Sequence, residues 1–340
     1  MKKFGDTNSA MIERLDSTAI NDLREALPLF THLPLAHLPH LSPDQRRAYW
    51  LDEISQSLAE ETSIAFGWSA SGRISGFIIY NDSPWDSRVI GRSMGTVKHL
   101  AVTNDDPAGV EILRALTSEL MQTLANRGTE CVVCRVQSSE LAAIHVLEQS
   151  GFLLMDTLLD FVFDFSRTPI EKIRFPERDG QLKIRRAKDT DLPVLIDINE
   201  KSFGDYFGRY HADPQMPAGT ATRVYTEWIR SAFQGWADWV LVAELDTQIA
   251  AYGIWRKALA AEERNCLRVA HYDLAAIDPE FRGRGLWTAL MLDGMWIARD
   301  FAQYLVGPVH VSNYPVQHLL QKFGWSMSAS RHSFHKWLNP

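Results

Sequence analysis

Arginine and glycine alternate in one short segment that follows an apolar stretch in the second half of the chain. Residues 277–287 read I-D-P-E-F-R-G-R-G-L-W; a strand is predicted before them over 272–277, and a helix after them over 288–299. In such a strand–turn–helix, the first backbone N–H groups of the helix converge on one point, where the helix dipole adds partial positive charge. Glycine permits close backbone approach and arginine adds charge-assisted donors. The segment therefore predicts a pyrophosphate site that needs no metal ion.

Two common phosphate-binding patterns do not fit this turn. No Lys-Ser/Thr pair follows Gly285, as Walker A requires, and the third glycine of G-x-G-x-x-G is missing. The turn instead resembles motif A of the GNAT (Gcn5-related) acetyltransferases, R/Q-x-x-G-x-G/A, through Arg282, Gly285 and the preceding Ile-Asp-Pro. Trp287 departs from that pattern, and its ring must turn away from the phosphates or pack beneath the turn. The alternative is a plain basic turn between a strand and a helix.

Three more segments resemble the same family in the same order. Leu182–Ile198 is similar to its opening strand and helix, Trp239–Ala243 and Ile249–Trp255 to a hairpin, and Asn313–Trp325 to its closing helix followed by Gly and an aromatic residue. The resemblance implies an α/β (α+β) fold with two GNAT-like domains. Each domain is expected to hold a mixed, mostly antiparallel twisted sheet flanked by helices.

The N-terminal half resembles the same fold without the phosphate turn. Lys98–Val102 is similar to the central strand and Glu140–Phe152 to the closing helix, at nearly equal offsets from their counterparts (277 − 102 = 175 and 324 − 151 = 173). Thr103–Gly109, however, has no arginine and carries two carboxylates, which would repel coenzyme A. We therefore expect a degenerate, non-catalytic domain over 1–170, a polar Pro- and Gly-containing linker over 171–180, and a complete domain over 181–340 that binds acetyl-CoA.

Composition is that of an ordinary globular protein. Hydrophobic residues make up 46% and charged residues 23% of 340, and the net charge of −7 argues against nonspecific nucleic-acid binding. No apolar run approaches the length of a membrane span and no signal peptide is recognised, so a cytoplasmic protein without membrane or nucleic-acid partners is expected. Three cysteines do not suggest a disulfide framework. The oligomeric state stays open between a monomer and a homodimer.

The resemblance also implies roles for individual residues. Acetyl-CoA is the expected cosubstrate, with no metal, and the residues implied to bind it are Ala275, Ala276, Ile277, Arg282, Gly283, Arg284, Gly285, Leu286, Trp287 and Asn313. Counting back from Ala275 gives His271 as the general base, a residue type suited to proton transfer near neutral pH, with Asp273 on the same strand face to orient it. The family's acid, a tyrosine on the closing helix, corresponds to Leu320. Tyr314, water or unassisted departure of the thiolate must then replace it.

The acceptor is expected to be a small amine. The segment after the first helix of the second domain, Phe203–Arg230, covers the acceptor in this family and supplies Arg209, Tyr210, His211 and Asp213; a packed helix connection is the alternative. Ser83–Gly91, Ala187–Pro193 and Tyr225–Phe233 resemble a tandem branch, the bacterial N-acetyltransferases of TDP-fucosamine (dTDP-4-amino-4,6-dideoxygalactose). That likeness implies direct attack by an amine of a nucleotide-linked amino sugar for surface polysaccharide such as lipopolysaccharide. One alternative is a different acceptor, such as an amino acid, a polyamine or an antibiotic. The other is a non-catalytic sensor that binds coenzyme A.

Overall fold

The computed structural model describes residues 11–105, 107–174, 180–204 and 206–338. Their contacts divide into two compact units. The first unit contains the described residues up to Ala36, then His40–Asp156, and those from Arg331 onward; the second contains His37–Pro39 and Thr157–Ser330. The division thus falls before the predicted linker 171–180, of which residues 175–179 lie outside the described part of the chain.

Strands and helices alternate along both units. The described strands are β1 (Met11–Leu15), β2 (Ile64–Ala70), β3 (Arg73–Asp82), β4 (Met94–Val102), β5 (Cys131–Gln137), β6 (Leu153–Asp164), β7 (Lys183–Arg186), β8 (Trp239–Leu245), β9 (Gln248–Arg256), β10 (Val269–Ile277), β11 (Tyr304–His310) and β12 (Ser326–Trp337). The described helices are α1 (Ile20–Ala26), α2 (Pro43–Ala59), α3 (Pro84–Ile90), α4 (Pro107–Arg127), α5 (Leu141–Gln149), α6 (Leu192–Phe203), α7 (Arg209–Ala212), α8 (Thr220–Ser231), α9 (Ala260–Arg264), α10 (Leu286–Arg299) and α11 (Tyr314–Lys322).

Both units pair their strands by the same scheme. In the first unit β1 to β4 run antiparallel in chain order, β4 pairs with β5 in parallel, and β5 pairs antiparallel with residues 331–337 of β12. In the second unit β7 to β10 run antiparallel, β10 pairs with β11 in parallel, and β11 pairs antiparallel with residues 158–164 of β6. A single parallel pair inside an otherwise antiparallel sheet is therefore common to both.

Helices cover both faces of each sheet. In the first unit, α4 buries Leu113, Leu116, Leu120 and Leu124, whose spacing of three or four residues forms one apolar stripe, while α1 and α2 pack on the opposite face. In the second unit, α10 covers one face and α6 with α8 the other. The predicted fold class is confirmed: a mixed, mostly antiparallel sheet flanked by helices, repeated in the chain.

Candidate active site

The parallel pair of the second unit opens into a fork. Described pairing between β10 and β11 runs from Val269–Tyr304 to His271–Val306, and the two strands diverge beyond it. On the other side of β10, Tyr272 pairs with Trp255 and Leu274 with Ile254, so Asp273 is the extra residue of a β-bulge. A bulge bends and twists its strand. The bulge therefore stands where the strands separate.

A cavity of about 800 Å³ lies in this fork. Its walls come from both diverging strands, the end of α6 with the loop after it, the arginine–glycine turn and the start of α11. The edge of β10 that does not pair with β9 faces the cavity along Asp273–Ile277. Backbone groups on such an edge can hydrogen-bond an extended ligand as an added strand would.

The arginine–glycine turn leaves room for an anion. Gly283 and Gly285 have φ of +79° and +74°, and a Cβ placed on either would meet no atom within 4 Å. Gly285 precedes the first residue of α10, and no described side chain caps this end of the helix, so its first N–H groups remain available. Arg282 lines the cavity and Arg284 lies over the Phe281 ring at 5.5 Å. Among described residues neither guanidinium forms an ion pair, and the turn therefore fits a pyrophosphate.

The remaining residues predicted to bind acetyl-CoA lie around the same space. Ala275, Ala276, Ile277, Leu286 and Asn313 all line the cavity, and the side-chain oxygen of Asn313 also accepts from the backbone N–H of Val316 at the start of α11.

Trp287 packs beneath the turn. Its side chain is buried in the core of the second unit, and its Nε1–H donates to the Tyr272 hydroxyl at 2.9 Å. Trp287 also contributes to the lining of the cavity.

His271 and Asp273 contact two different partners. His271 Nε2 lies 2.7 Å from Glu262 Oε2, and the Asp273 carboxylate accepts two bonds from Arg256, at 2.7 and 2.8 Å. Beside His271 the described hydrogen-bond partner is thus Glu262, whereas Asp273, the residue expected to orient this ring, binds Arg256. The bulge breaks the alternation of side chains that placed both residues on one strand face. Of the two, Asp273 lines the cavity, whereas His271 lies outside its described lining.

The predicted acceptor residues lie on or beside the short helix α7. Asp213 is buried, Arg209 lies over the Tyr210 ring at 4.6 Å, and His211 stacks near Tyr225. All four stand outside the described lining of the cavity. Tyr314, the predicted substitute acid, is also outside that lining and is 70% exposed.

Sequence reasoning missed several side chains that line the cavity. Tyr206 and Phe207 come from the loop after α6, His310 ends β11, and Tyr272 begins the fork on β10. His310 Nδ1 accepts from the backbone N–H of Ser312 at 3.1 Å. The proton of the neutral imidazole must then be on Nε2, which makes this ring a donor. Polar or aromatic residues at the carboxyl ends of adjacent parallel strands were the signal available for Tyr272 and His310.

One segment of the chain matches a family of known proteins. Residues 201–325, which contain the fork, the turn and the start of α11, match the model of the Acetyltransferase (GNAT) family. The chain therefore contains a segment that matches the GNAT acetyltransferases, which are acyltransferases. Members of this family use acetyl-CoA.

Other similarities extend over most of the chain. The chain is 23% identical over 282 residues to the spore coat polysaccharide biosynthesis protein SpsD of Bacillus subtilis (strain 168), covering 80% of this chain and 88% of the relative. Its fold is similar to a tandem GNAT protein from the clavulanic acid biosynthesis pathway (TM-score 0.59, 13% identity, 98% and 99% of the two chains). It is also similar to a GCN5-related N-acetyltransferase from Sphaerobacter thermophilus (TM-score 0.65, 13% identity, 99% and 98%).

Two features are absent from the described residues. No described helix combines the length and apolar character required to span a membrane. No cluster of three or more His, Cys, Asp or Glu side chains among the described residues is arranged to hold a metal ion.

Proposed function

We propose that the protein transfers the acetyl group of acetyl-CoA to the amine of a nucleotide-linked amino-dideoxy sugar used for a surface polysaccharide. The observation that carries this proposal is the fork itself, because one continuous cavity joins the open arginine–glycine turn to the aromatic side chains Tyr206 and Phe207. The likeness to a spore coat polysaccharide biosynthesis protein supports the polymer class. The likeness to TDP-fucosamine acetyltransferases in sequence supports the nucleotide sugar.

The turn and the edge of β10 would hold the acyl donor. Arg282, Arg284 and the first N–H groups of α10 would bind the pyrophosphate, and backbone groups of Ala275–Ile277 would bind the arm and the carbonyl. Bound acetyl-CoA supplies an activated thioester. Asn313 borders the same space at the start of α11.

His271 is proposed as the general base. Because a carboxylate oxygen can only accept, Glu262 fixes the imidazole proton on Nε2 and leaves the Nδ1 lone pair to take a proton. Since His271 stands outside the described cavity lining, we propose that one water carries the proton from the amine. Asp273 would hold Arg256 at the cavity wall rather than orient this ring.

The acceptor is proposed to lie against the loop that follows α6. Phe207 is 67% exposed and its ring stacks toward His310 at 6.4 Å, so a flat ring can extend this stack. The His310 Nε2–H can donate to a sugar or phosphate oxygen. Arg209, Tyr210, His211 and Asp213 would support this loop from α7.

Thiol release from acetyl-CoA, measured with a panel of amines, tests the proposal. The panel contains dTDP-linked amino-dideoxy sugars, the same sugars without the nucleotide, amino acids, polyamines and aminoglycosides. A dTDP-linked member should exceed its free sugar by about 100-fold in kcat/KM, the worth of roughly 3 kcal/mol of nucleotide contacts. Equal rates with free amines would overturn the nucleotide-sugar acceptor. Tight coenzyme A binding in calorimetry without turnover on any amine would indicate a sensor.

A further inference from the structure

The second unit buries a tyrosine at the point where the fork opens. Tyr272 is the first residue of β10 beyond the last described pair with β11, and it lines the cavity although its side chain is only 7% exposed. It faces the same core cluster as Trp287 and Leu320, on the side covered by α10. Leu320 is fully buried and occupies the position at which the family resemblance expects the proton donor.

The surrounding residues make room for this ring and hold its oxygen. A Cβ on Gly307, across the fork on β11, would lie 2.9 Å from Tyr272 Cδ1, so the ring rests against a position that has no side chain. The Trp287 indole donates its N–H to the Tyr272 oxygen at 2.9 Å. In the described part of the chain, the hydrogen bond found at this hydroxyl is the one it accepts from Trp287. The hydroxyl proton is therefore not used in that bond and can be donated.

From this geometry we infer that Tyr272 is the proton donor to the departing coenzyme A sulfur, in place of the tyrosine that Leu320 lacks. The inference rests on acetyl transfer in this fork and not on the identity of the acceptor. It also gives a reason for Trp287, a large residue where the family pattern has glycine or alanine. Tyr272 then accounts for both departures from the pattern, because it would replace the acid missing at Leu320 and is hydrogen-bonded by Trp287.

The proposed step is balanced in atoms and electrons. The amine nitrogen forms a bond to the acetyl carbonyl carbon, the carbon–sulfur bond breaks, and its electron pair stays on sulfur. The O–H of Tyr272 gives its proton to that sulfur, and the Trp287 N–H stabilises the phenolate left behind. The proton lost by the amine passes to the base and returns through water to the phenolate, which restores the enzyme.

The Tyr272 phenol, like that of an ordinary tyrosine, is protonated at neutral pH, and burial favours the same neutral form. Desolvation raises the pKa of Tyr272 well above its ordinary value, and the hydrogen bond from Trp287 acts in the opposite direction. The hydroxyl is therefore a donor throughout the neutral range.

Tyr272→Phe tests the assignment, with Tyr252→Phe as a matched control. Tyr252 is a fully buried tyrosine of β9 whose hydroxyl donates to Asn199 at 2.8 Å, and it lies outside the described cavity lining. Thiol release is measured with the best amine of the panel or, if none is accepted, with water as the acceptor. Failure of the nucleotide-sugar proposal therefore does not affect this test.

For Tyr272→Phe, turnover should fall by about 100-fold, the usual contribution of a positioned acid, while the acetyl-CoA Kd changes by less than about 2-fold. Trp287→Phe keeps the phenol but removes its N–H donor, and should lose about 10-fold. Tyr252→Phe should lose less than about 2-fold in turnover, within the usual effect of a change outside the site.

An analogue with a better leaving group separates acid catalysis from a structural role. In the selenium analogue of acetyl-CoA the departing selenolate needs no proton, so the defect of Tyr272→Phe should shrink to less than about 5-fold. A defect of equal size with both donors, or turnover no lower than that of Tyr252→Phe, would overturn the inference.

Discussion

Two forks, one in each unit, differ in what fills them. In the first unit β4 and β5 pair in parallel from Met94–Cys131 to Val97–Cys134 and then diverge, and Lys98 is the extra residue of a bulge against β3. In the second unit β10 and β11 do the same around Asp273. The counterpart strands and closing helices keep one offset, 304 − 131 = 173 for the strands and 314 − 141 = 173 for the helices.

The cavities at the two forks differ in volume and in lining residues. The first holds about 180 Å³, lined in part by His32, Asp105 and Glu140, whereas the second holds about 800 Å³. In the turn after β4, His32 Nε2 lies 2.6 Å from the Asp105 carboxylate, and a Cβ on Gly109 would lie 1.8 Å from the Asn104 carbonyl oxygen. The corresponding turn of the second unit is open and carries two arginines. The strand framework is therefore common to both units, and the two turns differ in how open they are and in their charge.

Reversing charge in the open turn should have the largest effect. Arg282→Asp gives the second turn a carboxylate like that of the first, which removes a donor and adds repulsion against the diphosphate. Calorimetry with coenzyme A should show a Kd at least about 100-fold weaker, or roughly 3 kcal/mol. Arg73→Asp, an exposed arginine at a hairpin of the first unit, is the control and should leave the Kd unchanged. Equal Kd values for both variants would contradict the proposal that the arginine–glycine turn binds the pyrophosphate.

Gly285→Ala should have an intermediate effect, because a Cβ at φ of +74° strains the backbone at the start of α10. Gly72 in the first unit has φ of +76° and equally open surroundings, so Gly72→Ala is a matched control. Both variants should lose about 1 kcal/mol of unfolding free energy in denaturant titrations. Only Gly285→Ala should also weaken coenzyme A binding, by about 10-fold. Equal binding by the two variants would show that the turn backbone does not contact the phosphates.

The smallest expected effect concerns the closed fork and depends on pH. Burial raises the pKa of Glu140 from 4.5 to about 7, so between these values the folded state holds a proton that the unfolded state releases. Stability should therefore fall as pH rises through this window. Glu140→Gln should stabilise the protein by roughly 1 to 3 kcal/mol at pH 8, and by less at pH 5.

Thermal unfolding of Glu140→Gln at both pH values checks this expectation. Glu148→Gln, an exposed position of helix α5, which Glu140 immediately precedes, should show no such pH-dependent gain. Equal gains from the two variants would mean that burial of Glu140 has no energetic consequence.

Local pattern was sufficient to predict the framework of the site. The predicted hairpin over 239–255 is confirmed as β8 and β9, joined at Asp246 and Thr247, both with positive φ. The helix predicted after the glycine turn is confirmed as α10, which begins two residues earlier than expected. Strand alternation and turn composition are properties of neighbouring residues, and a single sequence carries them.

Contacts across the sheet could not be predicted in the same way. The pairing of Asp273 with Arg256 depends on a β-bulge, and the sequence around Asp273 contains no signal that predicts a bulge. Glu262, which holds His271, lies on the separate short helix α9. The cavity residues Tyr206 and His310 are 104 residues apart (310 − 206), with ring centroids 6.3 Å from each other. Such contacts between residues far apart in the sequence depend on tertiary packing, which local sequence patterns do not specify.

The last strand has a consequence for how the protein is made. Arg331–Trp337 of β12 pair with Cys131–Gln137, and Phe334 belongs to the core of the first unit. The unit that begins the chain thus lacks the antiparallel strand that pairs with β5 until the ribosome has released residues that follow every described helix of the second unit. A fragment ending at Asp156 would lack these residues and would expose the edge of β5.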